Sequence, residues 1–236
     1  MDQIVASQLK AYRGNFLRHG DSPQGTYQNN EVTIEERHRQ LLARLRPFLP
    51  ANFTLCDLGS GTCDLHGYLL KNGIQHRYTG VEIVPEMRVV AARKYPGIRL
   101  RGDNILDAGF SEKFDVVVAS GTFNLRDRVE VNAWEKYVLE VVAKMFSLAK
   151  VGIAYNALTA YADFRADSLY YMSPELAVTH AQRCLSRFYF LSTLWPLFEF
   201  TLTVLRPEAV SAAYVEKEFD KYLPGHRRGG SRSPEV

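Results

Sequence analysis

The stretch LCDLGSGTCDL (55–65) places two glycines directly after an apolar run. Glycine adopts the positive φ angles of a tight turn and lets a ligand approach the backbone closely. A helix that begins after such a turn presents free N–H groups and a partial positive charge. The stretch therefore predicts a strand, a ligand-binding turn and a helix, which together form the basic unit of parallel α/β folds.

Apolar runs and segments of helical spacing alternate through the following hundred residues. The predicted strands are FTLCDL, HRYTGVEI (76–83), GIRLRGD, FDVVVAS (114–120) and VGIAYNAL (151–158). Strands that alternate with helices form right-handed βαβ units, and hence a mostly parallel sheet. Only a few residues separate SRFYFLS from LFEFTLTVL, so this last pair predicts an antiparallel hairpin at one sheet edge.

The chain divides into three regions by pattern. Residues 1–50 predict a helical N-terminal lid, in which Thr33 and Glu36 form a capping box at the start of a helix that runs through Leu45. Residues 51–206 predict the α/β core. Residues 207–236 predict a C-terminal helix followed by a disordered tail, HRRGGSRSPEV.

The cysteines and the charge exclude several classes of protein. Cys56, Cys63 and Cys184 are odd in number and widely spaced, which indicates a reducing compartment and neither a disulfide framework nor a zinc site. No metal site is expected. A net charge of +3 is too small to indicate nucleic-acid binding by itself.

Targeting and membrane segments are not expected. The N-terminus, MDQIVASQLKAY, lacks a basic region followed by an apolar core, so no signal peptide is predicted. The most apolar segment (188–205) is interrupted by Pro196 and Glu199 and predicts two strands rather than a membrane span. The sequence thus favours a soluble, cytoplasmic protein.

An acidic residue completes the pattern that begins at the glycine turn. Glu82 lies 21 positions after Gly61 (82 − 61), at the end of the second predicted strand. A carboxylate at that position can accept hydrogen bonds from both hydroxyls of a ribose. Together the turn, the helix and the acid predict a nucleoside-binding crevice at the carboxyl ends of the strands.

The residue at position 64 indicates whether the bound nucleoside carries phosphates. The Gly-Lys-Ser/Thr of a Walker loop is absent, and Asp64 stands where the dinucleotide fingerprint has its last glycine. An acid there would repel phosphates, so a ligand without phosphates is favoured. S-adenosylmethionine is such a ligand, because it combines adenine and ribose with a sulfonium and an amino acid.

The stretch DLGSGTCD (57–64) resembles the first motif of class I S-adenosylmethionine-dependent methyltransferases, an acid followed by x-Gly-x-Gly-x-Gly. The resemblance continues through Glu82, RGDNILD (101–107), FDVVVASGTFNL (114–125) and the terminal hairpin, over roughly residues 30–205. It implies a Rossmann-like α/β fold with a doubly wound, mostly parallel seven-stranded sheet. Cys63 replaces the third glycine of the motif, where the helical start is expected to tolerate a small packing side chain.

The resemblance also implies cofactor contacts. In the family, the acid and the glycine turn flank the methionine moiety, the acid after the second strand holds the ribose, and an apolar residue covers one adenine face. The residue after the third strand binds the adenine amino group, and the end of the fourth strand lies near the methionine. The corresponding residues here are Asp57, Gly59, Ser60, Gly61, Glu82, Ile83, Asp103, Asn104 and Ser120. The cofactor would be S-adenosyl-L-methionine, with S-adenosyl-L-homocysteine as product.

The acceptor site is expected in the loops at the same sheet end. GTFN (121–124) follows the fourth strand and NALTAYADFRADSLYY (156–171) follows the fifth. The candidate substrate-binding residues are Asn124, Asn156, Tyr161, Tyr170 and Tyr171. His19, in the polar segment that follows the first helix, is the candidate general base. Arg37 is either an anchor of the lid or a solvated helix charge, and the second interpretation is favoured.

The resulting hypothesis is methyl transfer to oxygen or nitrogen of a small polar molecule, such as a sugar or other metabolite. An RNA methyltransferase is one alternative, although Ser120-Gly-Thr-Phe-Asn124 lacks the Asn/Asp-Pro-Pro-aromatic motif and the basic tail is short. An NAD-dependent dehydrogenase is another, opposed by Asp64 and by the terminal hairpin. A non-catalytic binding module is a third, opposed by the intact glycine turn. Neither a membrane nor a nucleic acid is the expected partner.

Overall fold

A computed structural model describes residues 2–223 of the protein. The strands are β1 Phe53–Leu58, β2 His76–Val81, β3 Arg99–Arg101, β4 Phe114–Ala119, β5 Ala149–Leu158, β6 Tyr189–Ser192 and β7 Glu199–Leu205. They form one sheet in the order β3-β2-β1-β4-β5-β7-β6. The first five strands are parallel, and β7 is antiparallel to both β5 and β6. The mostly parallel seven-stranded sheet with a terminal hairpin is thus confirmed.

The helices lie before, between and after these strands. They are α1 Asp2–His19, α2 Glu31–Ala43, α3 Asp64–Lys71, α4 Pro85–Lys94, α5 Val131–Leu148, α6 Pro174–His180 and α7 Pro207–Ala213. Two buried apolar clusters show that both sheet faces are covered, as a doubly wound fold requires. One contains Trp134 and Val138 of α5, and the other contains Leu41 of α2 and Leu69 of α3.

The register of the central strands decides which residues meet at the carboxyl edge. Leu58, the last residue of β1, pairs with Val81 of β2 and with Ala119 of β4. The residues that follow these three positions therefore leave the sheet side by side. Strand order reverses between β1 and β4, and ligands of open α/β sheets bind at such a switch point.

Two local predictions are corrected at the flanks of the core. The capping residue of α2 is Asn30, whose side chain accepts from the Thr33 N–H, and Thr33 returns the bond as the third residue of the helix. Glu36 instead binds Arg39 and Gln40 one turn on. The expected C-terminal helix breaks after α7 and resumes as a 3₁₀ helix, Lys217–Tyr222. The tail HRRGGSRSPEV lies outside the described residues.

Two negative findings concern residues 2–223. No helix in this range combines the length and the apolar character that crossing a bilayer requires. Nor does this range bring together three or more His, Cys, Asp or Glu side chains that could hold a metal ion.

Candidate functional site

A cleft lies at the carboxyl edge, beside the switch point. It encloses about 1160 Å³ of space, counting its open mouth. Its floor comes from the strand ends, and its roof from α1, α2 and the segment between them, through residues such as Gln8, Tyr12, Gln28 and His38. The structure brings all the predicted cofactor-binding residues to this cleft, namely Asp57, Gly59, Ser60, Gly61, Glu82, Ile83, Asp103, Asn104 and Ser120.

The glycine turn is shaped by the protein itself. Gly59 has φ +70°, and a Cβ on it would lie 2.7 Å from Oγ1 of Thr122, closer than non-bonded atoms approach. The Thr122 hydroxyl donates to the Leu58 carbonyl at 2.8 Å, which fixes its place above the turn. Gly61 has φ +54° and lines the cleft. A neighbouring side chain, rather than a ligand, thus excludes a side chain at Gly59.

Glu82 links the end of β2 to this turn. Its carboxylate accepts from the Gly61 N–H at 2.9 Å and from the Val84 N–H at 2.7 Å. Burial raises the pKa of Glu82, and the backbone hydrogen bonds partly oppose that rise. Each carboxylate oxygen has a second lone pair, so Glu82 keeps acceptor capacity for a ligand in the cleft.

Asp57 lies beneath the turn and is almost fully buried. The Tyr78 hydroxyl donates to its Oδ2 at 2.5 Å. Burial raises the pKa of Asp57 to about 7, although the Tyr78 hydrogen bond acts in the opposite direction. The group therefore titrates close to neutral pH, and a cation in the cleft would favour its ionised form.

The backbone of Cys63 is more strained than the sequence predicts. It precedes α3 with φ +66° and ψ +39°, in the left-handed region, which costs an ordinary residue about 1–2 kcal/mol. Its Sγ packs against Gly80, where an added Cβ would lie 3.2 Å away. Burial raises the pKa of the thiol to about 12. The packing role expected for Cys63 is consistent with this environment.

The other wall of the cleft is built by α1 and the loop after β3. Ile83 packs with Tyr12 against a small cluster that includes Phe16, so α1 covers the end of β2. Asp103 is exposed and accepts from Arg101 Nε at 2.8 Å. Asn104 Oδ1 accepts from the Leu106 N–H and shapes the loop.

Six predicted residues do not line the cleft. Two of them, Asn156 and Asn124, accept hydrogen bonds from the backbone N–H groups of Gly121 and Leu158. Tyr170 is buried in the core, and its hydroxyl donates to Glu135. Tyr161 is 67% exposed and bonds to Glu175, whereas the Tyr171 hydroxyl accepts from the Ala166 N–H. His19 is exposed at the end of α1. The three tyrosines and His19 therefore do not meet the predicted cofactor contacts.

Sequence reasoning missed the polar residues of α2 and of the loop before it. His38 lies in the cleft wall, and burial lowers its pKa to about 4. Arg37 is buried and pairs with Glu199. The sequence did indicate that His38 faces inward. Ile34, His38 and Leu42 follow one another at intervals of four, so His38 shares a helix face with two apolar residues.

Comparisons with known proteins agree with this geometry. The family described as "Methyltransferase domain" matches residues 55–145, from β1 into α5. A Mycobacterium tuberculosis protein named as a candidate methyltransferase, Rv1506c, is 32% identical over 154 residues. That match spans 64% of this chain and 92% of the relative.

Solved structures share the fold at low sequence identity. The N-methyltransferase NodS from Bradyrhizobium japonicum, in complex with S-adenosyl-L-homocysteine, is 14% identical, with a TM-score of 0.57 over 85% of this chain and 97% of its own. The 1,6-didemethyltoxoflavin-N1-methyltransferase of Burkholderia thailandensis is 16% identical, with the same TM-score over 87% and 89% of the two chains. The chain belongs to the class I S-adenosylmethionine-dependent methyltransferases.

Proposed function

We propose that the protein transfers a methyl group from S-adenosylmethionine to oxygen or nitrogen of a small polar molecule, such as a sugar or other metabolite. One observation carries the proposal. The glycine turn, Glu82 and Asp57 meet in a cleft that α1 and α2 cover from above. A roof of this kind favours an acceptor small enough to enter beneath it.

Orphaned polar atoms in the cleft fit the proposed cofactor. Gln8 Nε2 and Ser60 Oγ both belong to buried, cleft-lining residues. Within residues 2–223, Gln8 Nε2 has no hydrogen-bond partner, and Ser60 Oγ has at most the weak partner offered by the Cys63 thiol. Buried polar atoms normally find a partner, so a polar ligand is the expected one. We assign the ribose hydroxyls to Glu82, whose free lone pairs complement them.

Charge in the cleft supports the same assignment. Asp57 and Glu82 are both buried at this site and both have raised pKa values. A ligand with a sulfonium and an ammonium group would stabilise their ionised forms. A dinucleotide would instead bring phosphates toward these acids and toward Asp64, which opposes the dehydrogenase alternative.

The chain's own contribution to catalysis would be alignment and the exclusion of water. When bound, S-adenosylmethionine supplies an activated methyl carbon that is open to in-line displacement. Holding the nucleophile in line with that carbon is worth up to about 7–11 kcal/mol. The roof of α1 and α2 keeps water from the reacting atoms. His38 is a neutral imidazole at physiological pH because burial lowers its pKa to about 4.

Calorimetric titration with S-adenosylmethionine, S-adenosylhomocysteine and NADH tests the cofactor. We expect micromolar binding of the first two and none of NADH, whereas NADH binding would revive the dehydrogenase hypothesis. Transfer of a labelled methyl group to a small-metabolite extract, compared with transfer to total RNA, then tests the acceptor class. Label in RNA alone would overturn the small-molecule proposal.

We also propose a cytoplasmic location. The three cysteines are free thiols, as is usual in a reducing compartment.

A further inference from the structure

Three amide side chains surround Gly121, the second residue after β4. The Gly121 N–H donates to Asn156 Oδ1 at 2.6 Å. The Leu158 N–H donates to Asn124 Oδ1 at 3.1 Å. Arg37 Nη1 donates to Gln28 Oε1. The three amides come from the lid, from the loop after β4 and from β5, so only the fold brings them together.

These contacts fix the orientation of each amide. Backbone N–H groups and a guanidinium only donate hydrogen bonds, so each amide oxygen must face its donor and each NH₂ group must face away. Asn156 is fully buried, and its Nδ2 has no partner within residues 2–223. Over the same residues, Gln28 Nε2 and Asn124 Nδ2 also donate no hydrogen bond. The site is therefore rich in unused donors.

Gly121 leaves a gap between two of these donors. A Cβ built on it would lie 3.0 Å from Gln28 Nε2 and 3.9 Å from Asn124 Nδ2. Gly121 and Gln28 both line the cleft. An oxygen placed over Gly121 would meet NH₂ groups from both sides.

The unused NH₂ donors determine which chemical group can bind above Gly121. A carboxylate presents two acceptor oxygens and would pair with both NH₂ groups. An ammonium group would meet only donors and would lose its hydration without compensation. Arg37 adds no net charge, since Glu199 balances it, yet it holds Gln28 in the donating orientation.

We infer that the methyl acceptor carries a carboxylate, which Gln28 and Asn124 bind above Gly121 while Asn156 fixes the loop. This inference rests on the proposed function, because it assigns the donors to the acceptor rather than to the cofactor.

The test follows the side-chain amide signals of ¹⁵N-labelled protein saturated with S-adenosylhomocysteine. Gln28→Glu and Asn124→Asp assign the signals, and sodium acetate and methylammonium chloride serve as small probes of opposite charge. We expect acetate to shift the Gln28 and Asn124 signals saturably, and methylammonium to leave them unchanged. Gln28→Glu, which keeps the oxygen facing Arg37 but replaces the donor by an acceptor, should weaken acetate binding at least tenfold.

A matched pair of glycine variants separates blocked space from backbone strain. Gly121→Ala fills the gap at φ +66°, whereas Gly73→Ala imposes the same strain at φ +65° with no atom within 4 Å. We expect Gly121→Ala to abolish the acetate shifts and Gly73→Ala to retain them, with S-adenosylhomocysteine affinity within twofold of wild type in Gly73→Ala. Retained shifts in Gly121→Ala would overturn the inference.

Other outcomes also decide the matter. Absence of acetate shifts, or equal shifts with methylammonium, would overturn the carboxylate assignment. Shifts that occur only without S-adenosylhomocysteine would give the donors to the cofactor's own carboxylate and would likewise overturn it. Failure of S-adenosylhomocysteine to bind wild-type protein would refute the proposed function instead, and acetate titration of the free protein would then report on the donors alone.

Discussion

Arg37 of α2 and Glu199 of β7 form a salt bridge inside the protein, 162 residues apart in the chain. Arg37 Nη2 lies 2.5 Å from Glu199 Oε1, and the two side chains are 8% and 1% exposed. Arg37 Nε donates to both carboxylate oxygens at 3.0 Å. The pair joins α2 to the antiparallel side of the sheet. The interpretation of Arg37 as a solvated charge is therefore wrong, because its helix face packs against the sheet.

Breaking this pair should be costly. Arg37→Met or Glu199→Gln removes the charge of one partner and leaves the other buried, which typically costs about 3–5 kcal/mol of unfolding free energy. The double variant Arg37→Met/Glu199→Met should recover much of that loss. Urea unfolding measures the unfolding free energy of the two single variants and of the double variant. Arg39→Met is the control, since its pair with Glu36 is exposed and worth about 1 kcal/mol or less; an equal loss in Arg37→Met and Arg39→Met would contradict the prediction.

Cofactor affinity should depend on pH through Asp57. Its pKa is about 7 in the folded protein against 3.8 for the unperturbed group, whereas binding of a cationic ligand favours the ionised form. Affinity for S-adenosylmethionine should therefore rise with pH up to about 7 and level off above it, with a slope of at most tenfold per unit.

Calorimetry at several pH values, in buffers of different ionisation enthalpy, measures both the affinity and the proton released. Asp57→Asn should remove the pH dependence. Because the folded-state pKa lies above the unfolded one, the stability that Asp57 contributes is present at acid pH and is lost as pH rises from about 4 to 7. Asp57→Asn should accordingly gain stability over wild type at pH 8 but not at pH 4. A parallel pH response of both proteins would refute this role.

Glu82→Gln should weaken cofactor binding. The amide replaces one carboxylate oxygen by a donor, which would face either the Gly61 or the Val84 N–H and would remove an acceptor from the ribose. Hydrogen bonds to charged groups are worth about 1.5–3 kcal/mol, so we expect at least a tenfold loss of S-adenosylhomocysteine affinity by calorimetry. Glu35→Gln, which changes an exposed pair with Lys71, should leave the affinity unchanged. Unaltered affinity in Glu82→Gln would remove the ribose assignment.

A thiol reagent should modify a single cysteine in the native protein. Cys184 is exposed, whereas Cys56 and Cys63 are buried, and burial raises the pKa of both buried thiols. The thiolate is the reactive form. We expect mass spectrometry after brief alkylation to show label on Cys184 alone, and on all three residues after unfolding. Labelling of Cys63 in the native state would mean that the glycine turn opens.

The sequence by itself determined the sheet and the residues at its carboxyl edge. Apolar runs, helical spacing and turn residues are local properties, and they located β1, the turn at Gly59 and the acid at Glu82. Since successive parallel strands end at the same edge, the strand ends predicted that the glycine turn and Glu82 would share one cleft. The family resemblance added Asp57 and Ser120 to it.

Only the tertiary structure decided how the N-terminal helices meet that cleft. Helical spacing reports which residues share a face, but not what the face packs against, so Arg37 and Gln28 gave no sign of their partners. The direction of Tyr170 into the core and the left-handed backbone of Cys63 depend on the packing of the surrounding elements. These contacts are set by residues far apart in the chain, because side chains compete for buried space and hydrogen-bond partners only once the elements have assembled.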